Sequence, residues 1–161
     1  MLALAWGIPS SMVAQNQGSH LMIAMGGAYP RTLESTISYE KEMLYHNAWE
    51  YFATYSIQYD EDPEAKHITR KSFWHNHNTW GVGAVYKPCV GRGRNHHGSL
   101  RIGASAGSDF HKAMGAVHVG YEQTYNLYDG WSLFFAIKED ITIRGKDRFK
   151  TGLNLGVKIP L

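Results

Sequence analysis

The sequence has one cysteine, Cys89, in 161 residues, which excludes an internal disulfide and any cysteine-rich metal centre and leaves the redox compartment open. It has no run approaching the roughly 20 consecutive apolar residues that a membrane helix needs. An excess of one charge is missing too. The 16 Lys and Arg nearly balance 14 Asp and Glu, too even a mixture to imply a polyelectrolyte partner such as DNA.

Basic residues are absent before Arg31. The stretch MLALAWGIPSSMVAQ, residues 1–15, resembles the end of a secretory signal with cleavage near Ala14, although the usual basic start is missing. Residues 1–15 are therefore expected to be a signal-peptide remnant and 16–161 a single domain.

What the chain does have is glycine, aromatics and two-residue alternation. It contains 17 Gly, 10 Tyr and 5 Trp, a composition that favours β structure. In the last eleven residues, TGLNLGVKIPL, Leu153, Leu155, Val157, Ile159 and Leu161 share one parity, opposite Gly152, Asn154, Gly156 and Lys158. That is the period of a strand with unlike faces.

Similar patterns predict seven earlier strands. Their approximate spans are His20 to Tyr29, Leu33 to Met43, Ala48 to Tyr59, Asn78 to Tyr86, Leu100 to Gly107, Lys112 to Tyr125 and Trp131 to Arg144. Pro30 and Pro88 stop two of them, and Asp129-Gly130 is a tight-turn dipeptide. The 60–73 stretch reads as a long charged loop, residues 88–98 as a basic glycine-rich connection, and Gly145 to Asp147 as a short turn.

Eight strands predict an all-β fold, an eight-stranded antiparallel up-and-down barrel with little room inside beyond side chains. The faces decide its surroundings. A soluble lipocalin-like carrier would line a ligand cavity with Trp49, Tyr51, Tyr55, Leu133 and Phe135. An outer-membrane-type barrel would turn those residues to lipid. The charged parity is also the small one, with Gly81, Gly83, Gly103, Ser105, Gly107, Gly120, Gly152 and Gly156, which suits a crowded lumen. With both termini at one end, Tyr45, Trp49, Tyr86, Tyr125, Tyr128 and Trp131 gather there, and Tyr29, Tyr59, Phe73 and Trp74 gather opposite, as two interfacial belts. The pattern therefore favours a bacterial outer membrane barrel in contact with lipid. Glu139 breaks the apolar parity, and a β-bulge at Lys138 to Asp140 is the expected reason.

Inside such a barrel, charges must pair. The expected network comprises Glu50, Arg101, Glu122, Lys138, Asp140, Arg144 and Lys158, with Glu40 and Lys87 on the same parity. Arg92, Arg94, His96 and His97 make the 88–98 connection a candidate docking surface on the periplasmic side. Nine histidines invite a metal hypothesis at His75 and His77 or at His96 and His97, but no carboxylate or cysteine lies at ligand spacing. No metal and no cofactor is expected. Ser108, Asp109 and His111 read first as turn chemistry; a lipid-modifying enzyme acting through Ser108 and His111 is the catalytic alternative, and no enzyme activity is expected.

The run YEQTYNLYDGWSLFFAIKEDITIRGKDRFKTGLNLGVKIPL, residues 121–161, carries an aromatic turn at Tyr128-Asp129, a long strand, a short turn, a basic-aromatic start at Arg148-Phe149 and a GLxLG-type final strand. In these features it is similar to the C-terminal part of the Bacteroidetes conjugative-transposon protein TraO family. The resemblance implies a small outer-membrane barrel in a conjugative DNA-transfer apparatus, with other apparatus proteins as partners, no direct nucleic-acid binding, and a structural or docking role.

Overall fold

A computed structural model describes residues 18–59, 77–109, 111–143 and 148–161. The expected signal remnant, the whole 60–73 loop, Trp74, His75, Arg144 and the 145–147 turn lie outside the described residues. The elements are β1 (Ser19–Tyr29), β2 (Thr32–Glu42), β3 (Ala48–Gln58), β4 (His77–Lys87), β5 (Cys89–Arg92), β6 (His96–Ser108), β7 (Ala113–Asn126), β8 (Ser132–Ile143) and β9 (Phe149–Pro160).

Every neighbouring pair is antiparallel, β1 pairs with β9, and β4 closes the sheet on β6 from Trp80↔Ser108 to Tyr86↔Ile102. The result is a closed eight-stranded antiparallel barrel, with β5 as a short extra strand. Closure leaves no sheet edge along the wall, so the backbone polar groups pair within it.

The expectation for residues 88–98 needs correcting. Pro88 separates β4 from β5 without breaking the contact with β6, and β5 continues along β6, Cys89 opposite Ser99 and Arg92 opposite His97. Residues 88–98 are thus mostly a β-hairpin that prolongs the barrel wall at the end holding both termini. A register shift between Cys89 and Gly91 and the concentration of glycines there hid the alternation. The bulge expected at Lys138 to Asp140 is absent. Val119↔Glu139 and Glu139↔Thr151 continue an unbroken register, and Glu139 stays on the outer face, accepting a hydrogen bond from Thr151 Oγ1 at 2.6 Å. One neighbouring hydroxyl meets the carboxylate without a change of register.

Small residues set how closely the inner faces approach. A Cβ on Gly156 would lie 2.7 Å from the Phe134 ring, and one on Gly83 would lie 2.7 Å from Ser105 Cβ and 2.8 Å from the Phe52 ring. Tight turns do the rest. Asp129 and Gly130 take φ of 57° and 78°, and Tyr45 and His46 take 66° and 58°. Each pair is the centre of a tight turn within a five-residue connection, closed by the Trp131 N–H on the Tyr128 carbonyl and by the Asn47 N–H on the Leu44 carbonyl. Positive φ at both central residues is what joins twisted antiparallel strands.

The faces have the outer-membrane polarity. Trp49, Tyr51, Tyr55 and Leu133, which a lipocalin-like carrier would turn inward, are 42%, 56%, 42% and 46% exposed, whereas Glu50 and Glu122 are each 1% exposed. Tyr45, Trp49, Tyr125, Tyr128 and Trp131 ring the termini end, and Tyr29, Tyr55, Trp80 and Phe149 lie toward the other, all exposed.

Candidate functional site

The lumen is the place where this fold concentrates chemistry, because strand alternation sends every second side chain into a narrow space. Near the termini end, eight inward side chains, one from each barrel strand, meet: Met22, Glu40, Glu50, Lys87, Arg101, Glu122, Phe134 and Lys158. Lys87 Nζ lies 3.0 Å from Glu50 and 2.8 Å from Glu122 and also contacts Glu40. Arg101 reaches Glu50 at 2.9 Å and contacts Glu122. Lys158 lies 2.8 Å from both Glu40 and Glu122.

Three carboxylates thus face three cations. Burial of this kind is tolerable because no charge is left over. The two strands that contribute no charge at this level supply soft apolar contacts instead. The Met22 sulfur is 3.9 Å from Lys87 Nζ, and the Phe134 ring sits 5.7 Å beneath Lys158 Nζ. The layer ties six strands together across the barrel axis.

Ala24, Phe52, Val85, Phe134 and Ala136 lie between this layer and a second polar cluster, around a cavity of about 30 Å³. The second cluster holds Lys138, 2.5 Å from Glu34 and 3.0 Å from Asp140. His118 is 2.6 Å from Asp140 through Nδ1 and 2.7 Å from Ser105 Oγ through Nε2. Asn154 donates to Glu34 at 3.4 Å, and Phe52 meets the His118 ring edge-on at 5.3 Å. The six described residues of the expected network therefore fall into two groups, with Glu50, Arg101, Glu122 and Lys158 in the first and Lys138 and Asp140 in the second. Arg144 lies outside the described residues.

Sequence reasoning missed Glu34, Ser105 and His118 as partners. All three sit on the inward parity, which was their available signal. Ser105 is small and His118 stands among glycines, so neither stood out as part of a network.

At the termini end the hairpin closes over the lumen. The exposed Arg92 guanidinium donates to the Tyr45 carbonyl at 2.6 Å and lies 5.4 Å from the Tyr45 ring. The Cys89 N–H donates to Asn47 Oδ1 at 3.0 Å, and the Asn126 N–H donates to the Asn95 carbonyl at 2.8 Å. The hairpin is held from both sides by these bonds. His97 turns inward and stacks on His46 with ring centroids 4.8 Å apart. Arg94 and His96 stay exposed.

At the opposite end, Asp109 Oδ1 accepts the backbone N–H groups of Lys112 at 2.6 Å and His111 at 3.0 Å. These two bonds hold the exposed Asp109 carboxyl below its usual range. Among the described residues no group of three or more His, Cys, Asp or Glu side chains is arranged to hold a metal ion.

No protein-family model matches the chain, and neither does any curated protein sequence. Among solved structures, a de novo designed transmembrane β-barrel matches with a TM-score of 0.54 at 9% identity, covering 89% of this chain and 96% of that one. The Yersinia pestis outer membrane protein Ail, studied in a phospholipid bilayer nanodisc, matches with a TM-score of 0.52 at 10% identity, covering 88% of this chain and 99% of that one. Both are similar in fold, which is that of an outer-membrane-type eight-stranded barrel.

Proposed function

We propose that this chain is an outer-membrane β-barrel subunit of a conjugative DNA-transfer apparatus, with a structural or docking role. The observation that carries the structural part is the charge-balanced layer of Glu40, Glu50, Glu122, Lys87, Arg101 and Lys158, which bridges the lumen from six strands. A lumen filled in this way near the termini is a plug rather than a solute path, and the docking role acts through the outer and terminal surfaces. Membrane residence is supported by the exposed apolar wall and its two aromatic belts, which suit lipid and its interfaces.

The conjugation part rests on the resemblance of residues 121–161 to the TraO family. The docking part rests on the braced hairpin at the termini end, the periplasmic end in barrels of this type. Its tip presents Arg94 and His96, a basic surface suited to an acidic protein partner. Such a role asks no chemistry of the lumen.

The test is a mating assay in the source bacterium with the gene deleted. Transfer frequency should fall by orders of magnitude, return with the wild-type gene, and stay low with an R94E/H96E variant that still inserts as a heat-modifiable barrel. Normal transfer after deletion would remove the conjugation reading. Full rescue by the charge-reversed hairpin would remove the docking surface while leaving the barrel subunit intact.

A further inference from the structure

The second lumen cluster contains a hydrogen-bonded series that the docking role does not use. His118 on β7 stands directly opposite Asp140 on β8 and opposite Gly103 on β6. Gly103 brings no side chain, and the imidazole leans along β6 to Ser105, two residues on. The ring is buried and held on three sides, by Asp140 Oδ1 at 2.6 Å, Ser105 Oγ at 2.7 Å and the Phe52 ring.

The tautomer follows from the partners. An ionised carboxylate only accepts hydrogen bonds, so Nδ1 of the neutral ring carries the proton and Nε2 presents its lone pair to the serine hydroxyl. That is the arrangement in which a histidine can take the proton of a serine as it attacks. All three residues stand on strands of a closed wall, which fixes their geometry better than loops do.

The same three residues line a cavity of about 70 Å³. Thr32, Thr79, Thr142 and Lys150 also line it, and they lie toward the barrel end opposite the termini. This space holds several waters by the usual measure and suits a short acyl group. Lys150 brings positive charge to it, as a developing oxyanion requires, whereas Lys138 and Glu34, which also line it, are paired with each other.

We propose that Ser105, His118 and Asp140 form an acyl-transfer site that takes short-chain carboxylic esters from the mouth opposite the termini. Ser105 Oγ forms a bond to the ester carbonyl carbon as its proton passes to His118 Nε2. The tetrahedral adduct collapses with loss of the alcohol, which leaves with that proton. Water, deprotonated by the same nitrogen, then releases the carboxylic acid and restores the serine. Asp140 is a positioning residue that fixes the ring and its tautomer.

The experiment uses the full chain folded in detergent, with the heat-modifiable gel shift as proof of folding, and diisopropyl fluorophosphate as the probe. Attack on that probe forms a Ser–O–P bond and releases fluoride. The expected result is a mass increase of one diisopropylphosphoryl group mapping to Ser105, absent in S105A and retained in S108A. In H118A the labelling rate should fall by about 100-fold or more and recover on addition of imidazole, a rescue that a merely structural role would not give. Folded wild-type protein that takes no label, or labelling of Ser105 that persists unchanged in folded H118A, would overturn the proposal and leave a structural polar chain. Either outcome leaves the mating assay unaffected, so the two readings fail separately.

Discussion

Replacing Lys87 by Met probes the ion-pair layer most sharply. The side chain is 1% exposed and shares its ammonium among Glu40, Glu50 and Glu122. At an effective dielectric of about 20, a contact of 2.8 Å, as to Glu122, is worth about 6 kcal/mol gross. Removing the ammonium also relieves its own burial penalty of several kcal/mol, and Arg101 and Lys158 still hold the carboxylates. The net loss should therefore fall near the 3–5 kcal/mol typical of breaking a buried pair from one side. Met matches the stem in length and shape, so little of the loss is packing.

Adding Glu122→Gln restores the balance, because Arg101 then serves Glu50 and Lys158 serves Glu40. The double variant should recover at least about 2 kcal/mol of the loss, a coupling of the size expected within one network. The assay is urea unfolding of the barrel in lipid vesicles, followed by tryptophan fluorescence. A loss below about 1 kcal/mol for Lys87→Met, or a double variant no more stable than the single one, would refute the reasoning.

Other outcomes follow from the same geometry. Gly83→Ala places a Cβ 2.5 Å from the Ala104 carbonyl and 2.7 Å from Ser105 Cβ, and should cost about 1–3 kcal/mol in the same assay. Leu155, 60% exposed midway along β9, should tolerate Val, whereas Leu155→Arg should cost about 2–4 kcal/mol in vesicles and much less in detergent.

The barrel was legible in the sequence because its outer face is made of large side chains at strict two-residue spacing, from Leu21-Ile23-Met25 in β1 to Leu153-Leu155-Val157 in β9. Closure and strand count followed from the turns. The hairpin at 89–98 was not legible, because Pro88 and three glycines erase the side-chain alternation while the backbone ladder continues through Pro88, whose carbonyl accepts the Leu100 N–H at 3.0 Å. Glu139 misled for the opposite reason. A charge on the apolar parity suggests a slipped register, whereas the nearby Thr151 hydroxyl meets it in place.

Parity placed the charged residues in the lumen but not their division into two groups, which depends on barrel stagger. His118 and Asp140 are 22 residues apart in sequence and face each other only through the β7–β8 register. Ser105 joins them because Gly103 leaves the ring room to lean, a relation between three strands that no local pattern records.

The most direct test of the central claim is to place a single nitroxide at Ile137, Leu153 or Leu155 on the outer face and at Ala24, Ala136 or Asn154 on the inner face, in the vesicle-reconstituted barrel. Collision with oxygen, which concentrates in lipid, should then be compared with collision with a water-soluble nickel chelate. Strong oxygen access at the first three positions and low access to both reagents at the second three is the predicted result. Nickel access at Ala136 and Asn154, with Leu153 and Leu155 shielded from both reagents, in a protein that stays folded without detergent would contradict it, turning the apolar wall into the lining of a soluble barrel.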